Sequence, residues 1–119
     1  MANIAGSLNE LLAADGAMAA AVVDSNSGMV LGKAGSGIDL DTAGAGNTEV
    51  VRSKLKTMKA LKLNDTIEDI LISLGRQYHI IRPLAKKPGI FIYMVLDKAK
   101  ANLAMARLKV QEVESEIAL

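Results

Sequence analysis

Cysteine and tryptophan are both absent from the chain, and aromatic residues make up only 3% of its 119 positions. Without thiols there is no disulfide framework, no thiolate metal site and no cysteine nucleophile. So few aromatics all but exclude the stacking platforms on which single-stranded nucleic acids are held. A charge surplus is missing too: 14 basic against 13 acidic side chains leave a formal net charge of +1. No global field recruits nucleic acid or acidic lipid, so any electrostatic function must come from local clustering. Long apolar runs are also lacking. The best candidate, Leu11 to Val23, is interrupted by Asp15 and Gly16, and no basic segment precedes it as a secretory signal would require. The chain is therefore expected to be soluble and cytoplasmic. What it has in abundance is aliphatic character. Half of the residues are hydrophobic, mostly Ala, Val, Ile, Leu and Met, enough for one cored domain over residues 1–119 and too little for two.

Periodicity divides the chain into eight elements. Ile4, Leu8, Leu11 and Leu12 form one helical stripe, with Ser7 and Glu10 at capping-box spacing, and Asp15-Gly16 stops it. Ala17 to Val23 is a continuous apolar run that ends in turn-prone residues 24–28, and Met29 to Leu31 resumes it as the second arm of a hairpin. Residues 35–47, GSGIDLDTAGAGN, read as a loop. From Thr48 the period becomes helical, with Val51, Leu55 and Met58 on one stripe to about Leu61 and Asn47 or Thr48 as cap. Strands are expected over Thr66 to Leu74, Gln77 to Leu84 and Ile90 to Leu96, the last apolar on consecutive positions and so central in its sheet. Asp97 should open a helix of about 20 residues, with a second apolar face of Ala101, Met105 and Leu108 turned to another helix. Short turns between consecutive strands argue for an antiparallel sheet in an α+β fold.

These residues carry a family likeness. Asp15-Gly16 before AAVVD at 20–24, then GMVL at 28–31, GRQYHIIRPL at 75–84 and IFIYMVLDKAKANLAMARL at 90–108 together resemble the Roadblock / dynein light chain family. The resemblance implies a Roadblock/profilin-like fold of five antiparallel strands, with the first and last helices on one face and the second on the other. It implies pairing with a second chain through the edge strand Thr66 to Leu74 and through the second helices side by side. It further implies a non-catalytic adaptor whose joint platform binds a partner, a Ras-like small GTPase in bacterial members. Gly44 and Gly46 fall where the family's second helix would begin, and an interior glycine costs about 1 kcal/mol relative to alanine.

Catalytic equipment is thin. A Ser-His-Asp triad would have to use His79, the single histidine, which sits in the strand-like YHII and reads as a structural residue. No HExxH, histidine cluster or EF-hand spacing marks a metal site. Glu68-Asp69, adjacent on a strand, would point to opposite faces and guard an edge rather than share a proton. The glycines at 35, 37, 44 and 46 match neither GxxxxGK[ST] nor a dinucleotide fingerprint, so they read as a flexible connection, and no cofactor is expected.

The informative charges lie on the second helix. Arg52, Lys56 and Lys59 recur at i, i+4 and i+7, Lys54 and Lys62 add to them, and Glu49 is the only acid. That flank suits an acidic protein partner, where cations hasten encounter and set register. Val51, Leu55 and Met58, with Ile70 and Ile72 of the edge strand, are the expected contacts of a homodimer. The function expected is that of a dimeric adaptor that binds a Ras-like small GTPase and modulates its nucleotide state. The alternatives are a small-molecule sensor domain or a structural subunit of a larger assembly.

Overall fold

The computed structural model describes residues 2–119. In chain order it runs α1 (Ile4–Leu12), β1 (Ala17–Asp24), β2 (Met29–Gly35), α2 (Leu40–Ala60), β3 (Ile70–Ser73), β4 (Gln77–Pro83), β5 (Ile90–Asp97) and α3 (Leu103–Glu116). The strands form one antiparallel sheet in the order β2-β1-β5-β4-β3. The expected α+β class and element order both hold.

Alternation along the strands builds two cores. Ala20, Val22, Ile80, Ile92, Met94 and Leu96 face Leu8 and Leu11 of α1 and Ala106, Val110 and Val113 of α3. Ala19, Ala21, Val23, Ile81, Phe91, Tyr93 and Val95 face Leu40 and Val51 of α2. β5 is buried from Phe91 to Leu96 because both faces are covered, which is why its sequence is apolar without alternation. The alanines of β1 let helices on both sides approach closely.

Several boundaries differ from those the residues implied. α1 is capped by Asn3, whose Oδ1 accepts from the Gly6 N–H at 2.7 Å, while Ser7 lies buried inside the helix. β2 runs on to Gly35, because pairing with β1 carries the weakly apolar GKAG into the sheet. β3 is only four residues long, since Ile70 is the first position that β4 pairs. α3 begins at Leu103 behind an Asn102 cap, leaving 14 residues where about 20 were expected. The cause is Gly16, which at φ 77° receives the 97–101 turn so closely that a Cβ there would lie 2.7 Å from the Ala101 nitrogen. α3 does meet another helix, α1, but through the face of Ala106, Val110 and Val113 that also meets the sheet, while Met105 and Leu108 of the second face are exposed. The two helices are tied again at the far end, where Ala2 bridges Ile117 and the Ala2 N–H donates to the Glu116 carbonyl at 2.9 Å.

The largest departure is α2. It starts at Leu40 rather than about Thr48, with Asp39 as its cap, so half of the expected loop is helix and Gly44 and Gly46 lie inside it. Gly44 is buried where a Cβ would come within 2.8 Å of Val30 Cγ2, a close approach only glycine allows.

A candidate docking surface along the second helix

Contacts along its length fix α2 on the sheet. At the start Lys33 of β2 pairs with Asp41 at 2.7 Å. Asp39 accepts from the Thr42 N–H at 3.2 Å and its hydroxyl at 2.7 Å, bonds that hold the carboxyl below its ordinary value. Midway, Arg52 donates to the Asn26 carbonyl in the β1–β2 turn at 2.7 Å and approaches Glu49 at 3.5 Å. At the far end Met58 and Leu63 line a groove with Ile67 and Ile70, beside the start of β3. The helix closes with Lys62 at φ 57° and the Leu63 N–H bonded to the Met58 carbonyl at 3.0 Å, a left-handed cap.

By the helical period, Arg52, Lys56 and Lys59 share the flank nearer the β1–β2 turn, and Val50 and Lys54 share the opposite one. All four cations are exposed, and among the described residues only Arg52 has an ion-pair partner. The apolar stripe splits. Val51 is 2% exposed and Met58 8%, both spent on the chain's own core, whereas Leu55 is 48% exposed. Ile70 and Ile72 are half-buried on the α2 side of the edge strand, opposite Ile81 and His79. The structure thus separates Val51 and Met58, which face inward, from Leu55, Ile70 and Ile72, which remain accessible.

Sequence reasoning missed the flank of α2 that faces β3. Val50 borders three open grooves, two of which reach the sheet. One of about 490 Å³ is shared with Lys54, Met58, Leu63 and residues 65–70, and one of about 440 Å³ with Asp39, Thr42, Asn47, His79 and Tyr93. Helical spacing could have shown Val50 and Lys54 together, but not that open grooves separate them from the β3–β4 edge.

Among the titratable groups near α2, His79 stands between two partners. Its Nε2 lies 2.8 Å from Gln77 Oε1, and its Nδ1 is 3.0 Å from the Tyr93 hydroxyl. Burial pushes the imidazole below its usual value and the Tyr93 phenol above its own. With both ring nitrogens so engaged, the structural reading of this histidine fits. Glu68 and Asp69 lie before β3 rather than on it. Asp69 is no edge guard but accepts from the Arg107 guanidinium at 2.8 and 3.1 Å, tying the segment to α3. Among the described residues no cluster of three or more His, Asp or Glu could hold a metal ion, and no helix is long and apolar enough to cross a membrane.

This architecture, with α1 and α3 behind a five-stranded antiparallel sheet and a long α2 alone in front, is the Roadblock fold. Myxococcus xanthus MglB superposes with a TM-score of 0.82 at 16% identity, covering 95% of this chain and 89% of that one. A Roadblock/LC7 domain from Streptomyces avermitilis gives 0.82 at 9% identity over 96% and 93% of the two chains. A structure of MglB with tetrameric arrangement gives 0.81 at 18% identity over 93% and 82%. At such identities the likeness is one of fold. No sequence-family model and no curated protein matches the chain.

Proposed function

We propose that the chain is a non-catalytic, homodimeric Roadblock regulator that binds a Ras-like small GTPase in a bacterial cytoplasm and modulates its nucleotide state. The observation that carries the reading is the Roadblock fold with open grooves between α2 and the β3–β4 edge, where Ile70 and His79 stay half-buried. A second copy covers this edge, joining at β3 through Ile70 and Ile72 and meeting Val50 and Lys54 on the flank of α2 that faces β3, with Val51 and Met58 supporting them from beneath. One MglB neighbour is described in a tetrameric arrangement, which gives assembly between copies of this fold a precedent.

The GTPase docks on the outer side of the paired α2 helices, where Arg52, Lys56 and Lys59 supply positive potential. It is driven toward one nucleotide state if the platform binds that state of its switch loops more tightly. Capture from native lysate with GDP or a non-hydrolysable GTP analogue identifies the partner, and the purified pair is then titrated. Replacing Arg52, Lys56 and Lys59 together by Glu should weaken binding by well over about tenfold, with the dimer intact. Binding that survives the triple change removes the assignment of this flank. Light scattering at micromolar concentration should report twice the 12.5 kDa chain mass, and Ile72→Arg should return the single chain.

A further inference from the structure

We propose that His79 makes the pairing of two chains acid-labile, because the imidazole lines an open groove between α2 and the β3–β4 edge that the second copy covers. The inference rests on the dimeric reading above. His79 stands on β4 opposite Ile72 of β3 and Val95 of β5, on the side of the sheet that carries α2. It lines the groove between that helix and the sheet, together with Tyr93. It is half-buried, so water still reaches it in the single chain.

Its hydrogen bonds select the neutral ring. The Gln77 amide nitrogen is turned to Met18 Sδ at 3.9 Å, so the Gln77 oxygen is what faces His79 Nε2, and Nε2 must carry the proton. Nδ1 then accepts the Tyr93 hydroxyl proton at 3.0 Å. A second proton can enter only at Nδ1. The Tyr93 oxygen would have to become an acceptor and turn its own proton toward α2, within a side chain that is 1% exposed.

Little surrounds the ring to offset a positive charge. β1 offers Met18, β3 Ile72 and β5 Val95 and Tyr93, while α2 offers Asn47 and Val50, all uncharged. The one charged residue lining the groove is Asp39, and its carboxylate is held by Thr42. Along the next groove the same flank of α2 presents Lys54, a like charge. Burial already disfavours the imidazolium in the single chain, and a second copy would strip the remaining water. The sign follows. The pair prefers the neutral ring, so single chains bind protons first as pH falls below about 6.5, and the dissociation constant rises.

The chain has one histidine, so a single imidazole reports. Sedimentation equilibrium at about pH 7.5 and about pH 5.5 should show the dimer dissociation constant rising about tenfold or more, and His79→Asn should hold it within about twofold. Independently, the imidazole C–H resonances should titrate at lower pH in concentrated, paired protein than in the same chain diluted to single molecules. A stable dimer with a pH-independent constant, the same dependence in His79→Asn, or equal midpoints in the two samples would overturn the proposal while sparing the dimeric reading. Chains that stay single at both pH values sink the dimeric reading and the proposal with it.

Discussion

Lys62 is the one non-glycine residue with positive φ among the described positions, at 57°. It terminates α2 in the place where glycine usually does so, since an L side chain in that region costs roughly 1–2 kcal/mol. Lys62→Gly should therefore raise stability, by up to about 1 kcal/mol once the looser unfolded chain is counted. Urea unfolding of the two proteins checks the sign. A second local cost lies in α1, where the Ser7 hydroxyl is buried with no hydrogen-bond partner among the described residues. Neither position could be singled out from the residues alone. A lysine after a helix says nothing of its own φ, and a serine at capping spacing is indistinguishable from a cap until Asn3 is seen to hold that place.

At the scale of elements, α2 shows how tertiary contacts override propensity. Its first half contains two glycines and would not stand alone as a helix. It forms because Asp39 caps it, Asp41 pairs with Lys33, and Gly44 lets the backbone settle on Val30. The two glycines should respond oppositely. Gly44→Ala drives a methyl to 2.8 Å from Val30 and should cost about 1–3 kcal/mol. Gly46→Ala meets nothing within 4 Å and should stabilise by about 1 kcal/mol. Thermal or urea melts of both variants separate packing from propensity, and equal effects would contradict the account. α3 teaches a related lesson. Its cations come early and its acids late, against the helix macrodipole. Arg107 is held by Asp69 and Glu114 by Arg82, contacts with other elements that outweigh a few tenths of a kcal/mol of dipole energy.

Across the whole molecule, the Arg82–Glu114 pair joins β4 to α3. Both side chains are largely buried, at 15% and 12% exposure, and Glu114 also accepts from the Ala85 N–H at 2.8 Å. Glu114→Ala leaves a buried guanidinium and an N–H unanswered and should cost about 3 kcal/mol, read as a fall in the urea midpoint. Nothing in the spacing of Arg82 and Glu114 announced this pair, because 32 residues and a sheet register separate them.

The same division runs through the protein. The α+β class, the order of eight elements, the central place of β5 and the cationic flank of α2 are local matters of period and composition, and the linear chain decides them. The start of α2, the inward turn of Val51 and Met58, the closing of Gly16 on the 97–101 turn and the open groove beside His79 depend on which surfaces meet. Long-range packing settles these, since close approach and burial arise only when strands and helices distant in the chain are brought into contact.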